Sequence, residues 1–162
     1  MAETLSVTDM LPNKFEPKRK FRWVFAIEGI DSFLMKTAAR PSITTEETEI
    51  PFMNHTRYVA GKTKFEAISL TLHDPIAPSG AQQVMEWVRT HFESVSGRGG
   101  YADFYKKDIV FNVLGPVGDK VEEWSLKGAY ISEANFGDLS WSEEQPVEIS
   151  VTITYDYAVL QF

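Results

Sequence analysis

The sequence predicts a mainly β fold, a β-sandwich or open barrel of about seven strands with one α-helix on its flank. Two observations carry that prediction. The first is Val147 to Tyr157, where Val147, Ile149, Val151, Ile153, Tyr155 and Tyr157 alternate with Glu148, Ser150, Thr152, Thr154 and Asp156. Strand side chains point to opposite faces in turn, so this reads as one long strand, dry on one side and wet on the other. Eleven residues at about 3.4 Å each span roughly 37 Å, a length suited to the wall of a barrel or tube. A strand buried in a parallel sheet would be apolar throughout. The second observation is that only one segment, at about residues 79–96, carries helical periodicity.

The elements follow in order. Residues 1–20 read as an irregular N-terminal arm, with Pro12 and Pro17 as breakers. A basic cluster, Lys18, Arg19, Lys20 and Arg22, leads into a first strand in which Trp23, Phe25 and Ile27 alternate with Val24, Ala26 and Glu28. Gly29 to Asp31 turns the chain, and Phe33 to Ala39 is the expected return strand of a hairpin, stopped by Pro41. Ile43 to Ile50 is a Thr/Glu run with strand propensity and little to bury; Thr56 to Ala60 is a second extended run ending at Gly61. Together, residues 43–61 form an extended arm, poorly stabilised by its own domain. A strand from Phe65 to Leu72 comes next. The helix opens on Ser79 with Gln82 three residues on, a capping pattern. Its stripe is Ala81, Val84, Met85, Val88 and Phe92, and Gly97 to Gly100 ends it. Ile109 to Val113 and Val121 to Ile131 are strands, the latter with Trp124, Leu126 and Tyr130 on one face, and the long terminal strand closes the fold.

At 162 residues and 43% hydrophobic, residues 21–162 are expected to form a single domain with a real core. The chain contains no cysteine, which excludes disulfides, thiolate catalysis and Cys-based zinc sites. No apolar run approaches the roughly 20 residues that cross a bilayer. Met1 to Thr8 lacks a basic region followed by an apolar stretch, so folding in a cytoplasm is expected. The net charge of −7 opposes tight wrapping of nucleic acid without opposing its passage.

Chemical motifs fail on inspection. Gly61-Lys62-Thr63 resembles the end of a phosphate-binding loop, but Thr56 stands where that loop needs glycine, and a strand follows instead of a helix. His55, His73 and His91 lack ligand spacing, so no metal site is expected. The acid pairs Glu46/Glu47, Glu122/Glu123 and Glu143/Glu144 are sequence neighbours, whose members point to opposite faces of a strand. The Lys18–Arg22 cluster could bind phosphate or an anionic partner, with a solvated start to a strand as the default reading, and the aromatics read as core packing before base stacking. No catalytic residue, no cofactor and no enzyme activity are expected.

The order of the pieces resembles a family. Ile50-Pro-Phe-Met-Asn54, Val59-Ala-Gly61, the strand Phe65 to Leu72, a helix with Trp87, Tyr105-Lys-Lys107, Gly137-Asp-Leu-Ser-Trp141 and Thr154-Tyr-Asp-Tyr157 appear in the order seen in tail-tube proteins of contractile-tailed bacteriophages. Related tubes occur in tailocins and type VI secretion. The resemblance covers Phe21 to Tyr157. It implies a non-catalytic subunit of hexameric rings that stack into a hollow tube inside the contractile sheath, with sheets of neighbouring subunits joined into a ring-shaped β-barrel. Implied partners are other copies of the chain, the tail sheath protein, the tape-measure protein, a baseplate tube initiator, and viral DNA passing through the lumen without specific binding. The implied location is the virion tail, assembled in the bacterial host cytoplasm, with no insertion of this chain into a membrane.

On that frame, Glu148, Ser150, Thr152, Thr154 and Asp156 are expected to line the lumen, with Ser69 and Thr71 as further candidates. Thr44, Glu46, Thr48, Phe52, Met53 and Gly61 are expected to form the ring-stacking arm, ordered only on assembly. Gly61 is expected to adopt a positive φ or to permit close backbone approach. Three alternatives stand beside the tail tube: the tube protein of a tailocin or contractile injection system, a baseplate tube initiator, and a small-molecule-binding β-barrel.

Overall fold

A computed structural model describes residues 14–162. Nine strands lie within them: β1 (Trp23–Ala26), β2 (Met35–Thr37), β3 (Ile43–Phe52), β4 (His55–Phe65), β5 (Ile68–His73), β6 (Lys107–Leu114), β7 (Lys120–Asn135), β8 (Glu148–Thr154) and β9 (Tyr157–Leu160). The helices are α1 (Gly80–Arg89) and the single turn α2 (Ala102–Tyr105). Of the expected N-terminal arm, residues 1–13 lie outside the described residues, and residues 14–20 hold no strand or helix.

Seven strands form one antiparallel sheet in the order β1-β6-β7-β8-β5-β2, with β9 also on β7, while β3 and β4 pair only with each other. The mainly β expectation holds, with the main sheet curled into a half-barrel. Its spine is β7. One edge of β7 carries β6, and the other carries β9 beside Trp124–Lys127 and β8 beside Tyr130–Asn135. Between those two partners β7 bends at Gly128, whose φ is +66°. The bend shifts the alternation by one residue: Leu126 is buried before it, Ala129 and Ile131 after it, and Tyr130 leaves the face expected for it.

The core fills the inside of the curl. Phe25, Leu70, Ile109, Phe111, Leu126 and Ile153 contribute from the strands, and Val84 and Trp87 from α1. Ser79 caps α1 as read, its side chain accepting from the Gln82 backbone N–H at 3.4 Å. Trp87, missing from the expected stripe, is buried and donates from its indole nitrogen to the Tyr105 carbonyl at 2.8 Å. The helix ends at Arg89, short of residue 96. Beyond it the chain doubles back: Phe92 bridges to Gly99, and the Gly97 N–H bonds the Glu93 carbonyl at 2.8 Å. Phe92 is consequently left half exposed.

Three expected strands are corrected. The segments at 23–28 and 33–39 do not form a hairpin; β1 and β2 lie at opposite ends of the sheet. The chain does turn at Gly29, with a single antiparallel bridge between Ile27 and Ile30, but the pairing stops there, and the connection, with Ile27, Ile30 and Leu34 buried, crosses one end of the core to β2. The segment Phe65 to Leu72 splits, with Phe65 closing β4 and Ile68 opening β5. The terminal strand parts at Tyr155–Asp156 into β8 and β9. There the Asp156 N–H bonds the Lys127 carbonyl at 2.9 Å, and the Asp156 carboxylate turns to Lys106 at 2.9 Å.

Candidate functional site: a hydroxyl face and a protruding arm

Alternation on β5 and β8 produces one continuous polar surface. Ile149, Val151 and Ile153 are buried, as are Ile68, Leu70 and Leu72 opposite them. The intervening residues must therefore point away from the core. Register places Ser69 opposite Thr152, Thr71 opposite Ser150 and His73 opposite Glu148. On the other side, β7 sets Tyr130 opposite Thr154, Glu133 opposite Thr152 and Asn135 opposite Ser150. The face thus unites Ser69, Thr71, Glu148, Ser150, Thr152 and Thr154. It is rich in short hydroxyl side chains and carries an ion pair between Glu148 and Lys36 on β2.

Asp156 is set apart from these residues. It lies beyond the end of β8, and the hydrogen bond from Lys106 to its carboxylate holds the Lys106 ammonium above its ordinary pKa. Lys36, His73, Glu133 and Asn135 join the face without having been read from the sequence. Their membership depends on strand neighbours remote in the chain, and only register reveals those.

The β3–β4 hairpin stands away from the core. Every residue from Ile43 to Lys64 is exposed, the polar run Thr44 to Glu49 and the apolar Ile43, Ile50, Phe52, Met53, Tyr58 and Val59 alike. The strands run further than expected, to Phe65, at whose base the ring packs on Tyr155 with centroids 5.8 Å apart. Facing residues share a side of the ribbon. One side carries Thr44, Thr48, Ile50 and Phe52, with Val59 and Arg57 opposite Thr48 and Ile50. The other side carries Thr45 and Thr63, whose hydroxyls bond at 3.0 Å. Two residues, Met53 and Asn54, make the tip turn. Met53 takes a positive φ of 53° and is 91% exposed, a left-handed conformation that costs a side-chain-bearing residue energy.

Gly61 fulfils the second of its two expected reasons. Its φ is not positive; it lies inside β4 at a bulge, where β4 has two residues between Thr63 and Ala60 against Glu46 alone on β3. A Cβ on Gly61 would approach the Glu46 carbonyl oxygen to 2.9 Å. The bulge needs the close approach that only glycine allows.

The three histidines are scattered: His55 lies near the arm tip, His73 ends β5, and His91 packs edge-on against Tyr105 at 5.5 Å. Among the described residues no three acidic or histidine side chains are grouped to hold a metal, and no helix is long and apolar enough to cross a membrane.

No protein-family model matches the sequence, and no curated protein sequence matches it significantly. Solved structures do match the fold. A chain in the structure of the anti-feeding prophage cap aligns over 97% of this chain and 99% of its own, at 14% identity and a TM-score of 0.74. A chain of the PVC extracellular contractile injection system, in its extended sheath–tube complex, aligns over 98% and 99%, at 12% identity and 0.70. Hcp1 from Flavobacterium johnsoniae aligns over 87% and 95%, at 13% identity and 0.51. The chain has the tail-tube fold.

Proposed function

We propose that this chain is a structural, non-catalytic tube subunit that forms hexameric rings stacked into a hollow tube within a contractile sheath. The observation that carries the reading is the β3–β4 arm, a ribbon exposed from Ile43 to Lys64 that no other part of the described residues covers. An isolated two-stranded hairpin is marginal in water, so a neighbouring copy must supply the burial that keeps it in one conformation. The fold-level likeness to chains of sheath–tube and cap particles supports the same conclusion.

Within such a tube the hydroxyl face lines the lumen. Ser69, Thr71, Ser150, Thr152 and Thr154 offer short neutral side chains to whatever passes, and Glu148 is already neutralised by Lys36. Such a bore, whose one lysine, Lys36, is paired with Glu148, gives a polyanion little to grip, since phosphate binding is dominated by cationic side chains. The cargo in a phage tail is the tape-measure protein followed by DNA, with the sheath protein outside and a baseplate initiator at one end. A second reading, an injection-system tube, draws on the near-complete overlap with a chain of the PVC extracellular contractile injection system.

Hydrogen exchange of the dissociated and assembled chain tests the arm. Protection of the amides from Thr44 to Thr48 should rise on assembly, and equal protection in both states would remove the arm from the contact.

A further inference from the structure

Two surfaces outside the arm and the hydroxyl face fit each other. The first is the loop between β7 and β8, residues 136–147. It leaves its strand at a fixed angle: the Gly137 N–H bonds Asn135 Oδ1 at 2.9 Å, and Gly137 takes a φ of +82°. From there it presents Leu139 at 85% and Trp141 at 108% exposure, two large apolar side chains with no cover among the described residues. Asp138, Glu143 and Glu144 flank them, and no ion pair among the described residues uses these acids. An exposed aromatic with a polar surround is the anchor chemistry of protein interfaces.

The second surface is a cleft of about 380 Å³ between β1 and the segment after β2. Its floor is apolar (Trp23, Phe111, Val113) and its rim is cationic (Arg19, Lys20, Arg22). Two further rim cations, Lys18 and Arg40, are held by the buried Glu122 carboxylate. Arg19, Lys20 and Arg22 pair with no carboxylate among the described residues, leaving three cations on a chain of net charge −7. Three acids around an apolar anchor, unpaired among the described residues, thus complement three such cations around an apolar floor of enclosing size.

We propose that the Trp141 loop of one copy seats in the basic-rimmed cleft of a second copy of this chain. Trp141 enters against Trp23 and Phe111 beneath the guanidinium groups, while Asp138, Glu143 and Glu144 meet Arg19, Lys20 and Arg22. Loop and cleft are different surfaces, so each copy offers one and fills another. That is a head-to-tail contact, which closes into a ring or extends as a filament. The inference rests on self-association, but not on the tube or its lumen.

The chain lacks cysteine, which permits a direct test. Chains carrying Ser142→Cys and chains carrying Ala38→Cys are mixed under oxidising conditions. The mixture should give a disulfide-linked dimer well above the yield of either chain alone. Adding Trp141→Ala to the first chain, or Arg19→Glu with Arg22→Glu to the second, should lower that yield about tenfold or more. Glu143→Arg with Glu144→Arg should restore the charge-reversed pair. Ser140→Cys with Arg40→Cys repeats the test at a second geometry should Ala38→Cys fail to fold. Assembled particles with no excess cross-link in either geometry would overturn the docking while leaving the tube reading intact. Cross-link without particles would support the docking and count against the tube. A chain that stays monomeric and yields no cross-link overturns both, and a doubly substituted monomer closing on itself would assign the loop to its own cleft.

Discussion

Replacing Gly61 with valine separates assembly from folding. A Cβ at this position would stand 2.9 Å from the Glu46 carbonyl oxygen and 3.4 Å from Thr48 Oγ1. The carbonyl is backbone and cannot swing aside, so the bulge must open or the pairing around it must break. Overpacking of this kind costs about 1–3 kcal/mol. The strain falls on a ribbon with no exposure-protected residue between Ile43 and Lys64. A hairpin that is marginal alone then loses its ordered population by about 5- to 150-fold. The core contributes none of its buried side chains from that span, so global stability should change by less than about 0.5 kcal/mol. Thermal denaturation followed by circular dichroism reads the core, and electron microscopy with hydrogen exchange of residues 44–63 reads the arm and its assembly. The expected pattern is an unchanged melting temperature, faster exchange and few or no rings. Normal rings with unchanged exchange would refute the reasoning, and an equally large fall in melting temperature would show that the arm and core are one cooperative unit.

Gly128→Ala should destabilise the core itself, by about 1–2 kcal/mol for the left-handed backbone alone, with a further penalty because its Cβ would meet Asp156 Oδ2 at 2.1 Å. Adding Asp156→Ala should recover only the second part in urea titrations; full recovery would place the whole cost in the clash. Glu122 supplies a pH test. Burial pushes its pKa up, but hydrogen bonds from Lys18 and Trp124, with the charge of Arg40, outweigh that and hold it below its ordinary value. A depressed carboxylate stabilises the fold above its unfolded pKa, and the contribution is lost as pH falls through the folded one. Acid titration of stability should therefore be shallower in Glu122→Gln below the ordinary carboxylate range; identical acid limbs would rule the linkage out. Ser150→Lys with Thr152→Lys should leave assembly intact, because both side chains point away from the core. It should make assembled tubes retain DNA in a salt-sensitive way, and tubes that bind no more DNA than the parent would move the lumen to another face.

The strand faces were legible because burial and alternation coincide: Ile149, Val151 and Ile153 could be assigned inward without any knowledge of their neighbours. The exposed arm was legible for the opposite reason, since Thr44 to Glu49 hold nothing that a core would take. Connectivity was less so. The pairing of β1 with β6, and not with β2, depends on Ile27, Ile30 and Leu34 crossing the core end, and a turn glycine followed by an apolar run looks the same in a hairpin. The break at Tyr155–Asp156 is invisible to alternation, because Tyr157 resumes the pattern; it lies against the bend of another strand, where the Asp156 side chain packs over Gly128. That Ser69, Thr71, Glu148, Ser150, Thr152 and Thr154 point away from the core follows from alternation alone, but their union into one surface required the register of β5 against β8, and Asp156, expected beside them, departs at the strand break. The cleft escaped detection because its basic rim reads as an ordinary solvated strand start, and its floor comes from β6, far along the chain.

The central claim is most directly tested by cryo-electron microscopy of the purified 162-residue chain across a concentration series. The account predicts six-fold rings that stack into hollow tubes, with the β3–β4 ribbon of each subunit covered by a neighbouring copy and the Ser69–Thr152 face turned to the bore. A chain that remains a monomer at every concentration, or that forms a closed particle with its arm exposed, would contradict it.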